Sequence, residues 1–167
     1  AFQWDAQIPM EEYQRRVNLL RDALIRCRRQ ELTILSHCED ADMVKNYAVN
    51  EGRVSRALGP PGRPAIAEEL QVMRDAMLAE ETGAAVHICH ISTARSVEIV
   101  RQFKKKGVPI TCETCPQYFA LTEDELLSRG TLARVNPPLR TRLDKAVDYL
   151  ERWPDIPAVL TGGTGYG

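Results

Sequence analysis

At 167 residues the chain is the size of one ordinary domain, and 44% hydrophobic residues are enough to bury a core. Its charges nearly cancel, at a formal −1, and the basic clusters Arg26-Arg28-Arg29 and Lys104-Lys105-Lys106 lack interleaved aromatics, which argues against a nucleic-acid partner. No run of about eighteen apolar residues could span a membrane, residues 1–5 have neither the basic nor the apolar region of a signal peptide, and five cysteines are an odd number for a disulfide framework, so a cytoplasmic protein is expected.

The first element is a helix over residues 11–30. Tyr13, Val17, Leu20, Leu24 and Cys27 recur with a 3.6-residue period, and arginines and glutamates take the opposite face. A strand over 32–36 follows and delivers His37, then Cys38-Glu39-Asp40 and a shorter helix over 41–49. Leu58-Gly59-Pro60-Pro61-Gly62-Arg63-Pro64 can be neither helix nor central strand. Pro64 then starts a helix with Ile66, Leu70, Met73 and Met77 as its buried stripe and Gly83 as its C-cap.

The strand over 86–89 is β-branched, and the helix over 93–106 after it is capped by Ser92 or Thr93 and closed by Gly107. A third strand spans 108–116. Thr122 and Glu125 have the spacing of a capping box, Val135-Asn136-Pro137-Pro138-Leu139-Arg140 is a stiffened loop, a helix covers 142–153, and a last strand covers 157–161. Alternating strands and helices predict an α/β fold with a parallel sheet and covering helices. The tail, residues 162–167, is Gly-rich and carries nothing with which to build a site.

His37 and His90 each end a strand, at the edge where α/β folds gather ligands and metals. Two imidazoles in the same position of successive units can converge on one zinc ion, whose ligands are neutral imidazoles, thiolates or carboxylates. His87, three residues before His90, is expected to point to the other face, toward a helix. Cys112 and Cys115 form a lone CxxC, and on a strand they would face opposite ways. Glu39 and Asp40 either orient an imidazole or cap the following helix, capping being the simpler reading.

His37-Cys38-Glu39-Asp40, the segment Leu58 through Glu69, His87-Ile88-Cys89-His90-Ile91-Ser92-Thr93-Ala94 and Asn136-Pro137-Pro138-Leu139-Arg140, in this order, resemble the class I dihydroorotases of the amidohydrolase superfamily. The resemblance runs from about residue 30 to about residue 160. It implies part of a (β/α)₈ TIM-type barrel, strands four to eight, with one or two zinc ions at the carboxyl-terminal mouth. The implied reaction interconverts dihydroorotate and N-carbamoyl-aspartate in pyrimidine synthesis. By the same resemblance His37 and His90 are metal ligands, Asn136 contacts substrate, and Asp5 stands at the place of a bridging carboxylate. The proline-glycine loop favours dihydroorotase over the hydantoinase and allantoinase types.

The departures from that family are specific. No His-x-His pair occurs, Trp4 and Ala6 flank Asp5 where an aspartate and a glycine are expected, and Gly162 replaces the catalytic aspartate after Thr161. The expectation is an enzyme family whose isolated 167-residue segment is inactive, with an incomplete zinc site. The alternative is a catalytically dead scaffold that associates with aspartate transcarbamoylase, and a homodimer is a further expected partner arrangement.

Overall fold

Three short strands and a fourth residue pair line up side by side in the order in which the chain makes them. The computed structural model describes residues 10–44, 49–144 and 159–160. Helix α1 (Met10–Arg29) leads into β1 (Ile34–Ser36). After a turn and α2 (Arg53–Leu58), helix α3 (Ile66–Thr82) leads into β2 (Val86–Ile88), α4 (Ala94–Lys105) and β3 (Ile110–Thr114). Two short helices, α5 (Pro116–Ala120) and α6 (Glu125–Arg129), a 3₁₀ turn (Gly130–Ala133) and β4 (Val159–Leu160) complete the described elements. All strand pairs are parallel, in the order β1-β2-β3-β4, with Ile34 opposite Val86 and Val86 opposite Ile110. Sequential parallel strands with helices on one face are one arc of a (β/α)₈ barrel.

The core lies between the sheet and α1, α3 and α4. Val86, Ile88, Ile110 and Cys112 point into it from the strands and meet Leu24, Val72, Ala76, Val97 and Val100 from the helices. Among its described side chains the predicted α1 stripe holds, with Leu24 fully buried and Leu20 packed against the cluster, while the Tyr13 side chain lies outside the description. The predicted α3 stripe does not: Leu70 and Met77 are 48% and 57% exposed, while Val72, Ala76 and Ala79 are fully buried. This helix packs against α1, α4 and β2 together. Alanines permit that close approach, so Ala76 and Ala79 mark its inner face together with Val72.

A second cluster, Val54, Cys115, Tyr118, Leu126 and Leu139 among others, lies under the loops that follow the strands. Cys112 and Cys115 therefore belong to different cores. Burial pushes the Cys112 thiol up to about 11, so it behaves as a small hydrophobe.

Several local expectations change. Residues 41–43 form a turn, and 45–48 lie outside the described residues. The helix in this region is α2 instead, entered at Gly52, where Ser55 Oγ accepts from the Gly52 N–H. The Thr122–Glu125 capping box is not formed: the Glu125 N–H donates to the Thr122 carbonyl, and its carboxylate pairs with Arg129 one turn on. Residues 142–144 are a turn, and the rest of the helix expected there lies outside the described residues, as do Asp5 and the tail from Gly162. Among the described residues no helix is long and apolar enough to cross a membrane.

Candidate metal centre

Backbone geometry brings the two strand-end histidines together. His37 follows the last residue of β1. Beyond β2, the Cys89 N–H donates to the Ser36 carbonyl at 2.9 Å and the Ile91 N–H to the Glu113 carbonyl at 2.8 Å. Thr114 Oγ1 then donates to the Ile91 carbonyl at 2.8 Å. Between these ties His90 is held at φ +39°, a conformation rare for any residue but glycine. The kink carries its ring toward β1.

His37 Nδ1 and His90 Nε2 lie 3.0 Å apart, with ring centroids separated by 4.8 Å and the rings edge-on at 69°. Two nitrogens each about 2.0–2.1 Å from one tetrahedral ion stand roughly 3.3 Å apart. The pair therefore needs only a small opening to receive an ion. His90 is held below its ordinary pKa, first by burial and then by the neighbouring His37, so its neutral, metal-binding form is favoured. Its Nδ1 is buried without a hydrogen-bond partner among the described residues. The donor set fits a zinc-type ion.

A row of charged groups extends outward from this pair. Glu39 Oε2 lies 3.6 Å from His37 Nε2, and its other oxygen accepts from Arg63 Nη1 at 2.5 Å. The same Arg63 nitrogen donates to Asn136 Oδ1. Glu39 thus stands beside the His37 ring nitrogen that faces away from His90, the position from which carboxylates commonly orient metal-binding histidines. Asp40 closes the turn over residues 41–43 instead of capping a helix: its Oδ1 accepts from the Asp42 N–H at 3.0 Å. Arg63 joins the first histidine to Asn136. The loop carrying Asn136 is anchored by Tyr118, whose hydroxyl donates to the Pro137 carbonyl at 2.6 Å.

Beneath these groups lies a buried polar layer. Glu68 accepts from the N–H groups of Ser92 and Thr93 at 3.1 and 3.2 Å, at the start of α4, where its negative charge suits the helix dipole. Thr93 caps that helix by accepting from the Ser96 N–H at 3.1 Å. Arg140 is 3% exposed and donates to Ser92 Oγ at 3.0 Å and to Asn50 Oδ1 at 2.9 Å. Its Nη2 stands 3.6 Å from Glu68. Asn50 in turn donates to Glu123 at 2.7 Å. Four other segments, at Asn50, Glu68, Glu123 and Arg140, are therefore tied to the turn that presents His90.

Arg63, Glu68 and Arg140 lie within the motif segments, but the sequence pattern alone assigns them no role. Their signal is a charge set in a proline-rich or apolar context. His87 also departs from expectation. Val86 and Ile88 fill the helix-side core, so His87 points to the opposite, inner face, where Nδ1 meets Thr111 Oγ1 at 2.8 Å. A cavity of about 330 Å³ lies at the amino-terminal ends of the strands, between Thr33, Ala85, Lys104 and Pro109, far from the histidine pair.

Parallel strands presenting a histidine pair at their carboxyl ends match what the resemblance to the amidohydrolases implies, an arc of a barrel of that type. Solved structures agree on the fold. A D-hydantoinase crystal structure matches 88% of this chain and 34% of its own length, with a TM-score of 0.71 at 22% identity. A D-hydantoinase (dihydropyrimidinase) from a Thermus species covers the same shares, with a TM-score of 0.68 at 26% identity.

Sequence comparison narrows the class. The family model described as dihydro-orotase-like matches residues 13–96, half of the chain. The dihydroorotase of Acetivibrio thermocellus is 50% identical over 114 residues, 68% of this chain and 27% of that protein. The dihydroorotase of Syntrophus aciditrophicus is 45% identical over 126 residues, 75% of this chain and 30% of that protein. The chain belongs to the dihydro-orotase-like family, and it spans less than a third of the length of these relatives.

Proposed function

We propose that these residues are the second-half arc of a cytoplasmic, zinc-dependent dihydroorotase, which interconverts dihydroorotate and N-carbamoyl-aspartate in pyrimidine synthesis. The observation that carries this is the 3.0 Å approach of His37 Nδ1 and His90 Nε2 at the ends of adjacent parallel strands. These two residues would hold one or two zinc ions together with ligands from the rest of the barrel. When bound, the metal supplies Lewis acidity, polarising a ring amide carbonyl and acidifying the attacking water.

The chain's own residues do the positioning. His90 stays neutral by burial, keeping its lone pair available. Glu39 fixes the His37 ring, and Arg63 fixes Glu39. Because Asn136 Oδ1 already accepts from Arg63, its NH₂ group is left to donate to a carbonyl or carboxylate of the substrate. The buried Glu68–Arg140 layer keeps the His90 turn from relaxing.

The segment alone is proposed to be inactive. Two imidazoles fall short of the three protein ligands typical of a catalytic zinc. Gly162 also offers no carboxylate where the family resemblance expects the general base, whose loss typically costs about 10²–10⁴-fold. The test is ring opening of dihydroorotate, with hydantoin and dihydrouracil as competing substrates. The 167-residue chain with excess zinc should show no turnover. The complete coding frame that contains it, with the carboxylate restored by Gly162→Asp, should act on dihydroorotate and lose activity on His90→Asn. Preference for hydantoin would move the assignment to the hydantoinase type. The replacement at Gly162 favours one second reading, a scaffold bound to aspartate transcarbamoylase. In that case the complete frame would be inactive and co-purify with the transcarbamoylase.

A further inference from the structure

We propose that His87, Cys89 and Glu113 form a second metal site, on the inner face of the sheet, for a thiophilic divalent cation of the zinc class. It shares no ligand with the His37–His90 pair, although Cys89 immediately precedes His90. Side chains two apart on a strand share a face, so His87 and Cys89 project together from β2 and its end. In the register of β2 and β3, His87 lies opposite Thr111 and Ile88 opposite Cys112, which brings Glu113 level with Cys89. A nitrogen of His87, the Cys89 sulfur and a Glu113 oxygen all lie within 4.8 Å of one another.

The surroundings of His87 are those of a ligand. Its Nδ1 is engaged by Thr111 Oγ1 at 2.8 Å, which fixes the ring and leaves Nε2 directed at Glu113, 3.6 Å away. Metal-binding histidines are commonly held through the other ring nitrogen in this way. Bonds of about 2.0–2.3 Å to a tetrahedral ion require donors roughly 3.3–3.8 Å apart, which side-chain rotation can reach from the observed spacing. A thiolate and a carboxylate together carry the two negative charges that a dication neutralises. The sulfur selects zinc-like ions over magnesium or calcium. Three protein donors leave a fourth position open. The His87 and Glu113 side chains are 19% and 18% exposed, so an ion can enter yet is shielded once bound.

Cobalt(II) under reducing conditions provides the test, since a cobalt–thiolate bond gives a charge-transfer band in the near ultraviolet that imidazoles alone do not. Titration of the 167-residue chain should produce this band at one equivalent per chain. Cys89→Ser should abolish it, and His87→Gln and Glu113→Gln should each weaken cobalt binding by at least about tenfold. His37→Asn and His90→Asn should leave the band unchanged, so failure of the proposed hydrolytic centre and failure of this site are separable. Cooperative unfolding followed by circular dichroism controls for the fold of each variant. No charge-transfer band at saturating cobalt, a band that survives Cys89→Ser, or one lost only with His37→Asn would each overturn the proposal and leave a simple His87–Thr111–Glu113 hydrogen-bonded cluster.

Discussion

His90 is the residue at which the chain accepts strain. A positive φ at a residue other than glycine costs about 1–3 kcal/mol and persists only where the surroundings over-determine it. Here three flanking hydrogen bonds and the buried Glu68 layer do so. Burial and His37 hold the His90 pKa below its ordinary value, which gives stability a direction with pH. Above about pH 6.5 the ring is neutral in both folded and unfolded chains and the full stability is present. As pH falls toward the lower folded value, the unfolded chain takes up the proton first and stability is lost. Urea unfolding of the metal-free chain should show this fall, and His90→Asn, a residue that tolerates positive φ, should remove its share. Glu39→Gln should leave the metal-free unfolding midpoint near that of the parent, yet weaken zinc affinity by about 10–100-fold, measured by chelator competition.

Among the elements, α4 depends most on distant parts of the chain, because its first turn is held by Glu68 from α3 and through Ser92 by Arg140. Removing one partner of a buried ion pair strands the other. Arg140→Leu should therefore cost about 3–5 kcal/mol by chemical denaturation, and the double replacement with Glu68→Leu should cost less than the sum of the two single changes. Within the core, Ile88→Ala should cost about 2–5 kcal/mol. What the sequence disclosed about these elements follows their length. The long helix α1 repeats its pattern over five turns, and β2 and β3 are bounded by clear turn residues, so both kinds were legible. The six-residue α2 has too few turns for a period to show, and its capping hydroxyl sits inside the helix at Ser55, not before it. For α3 the larger apolar residues outweighed the alanines, although the alanines set its packing.

On the scale of the whole molecule, the four strands cover their helix side and leave the inner face open, with Leu35 71% exposed on β1. The β-α alternation made the parallel arc legible, and strand-end placement made His37 and His90 legible, because both are local properties. Neither the Glu39–Arg63–Asn136 row nor the inner-face position of His87 could be read that way. The row spans residues 39 to 136, and the facing of His87 depends on which side of β2 the helices pack. The proposed function stands on one ion shared by His37 and His90. Its most direct test is the anomalous difference map of a zinc-loaded crystal of the chain. A peak about 2.0–2.2 Å from both His37 Nδ1 and His90 Nε2 is expected. Imidazoles bonded only to each other in the presence of excess zinc, or rings more than about 8 Å apart, too far for one ion to reach both, would contradict it.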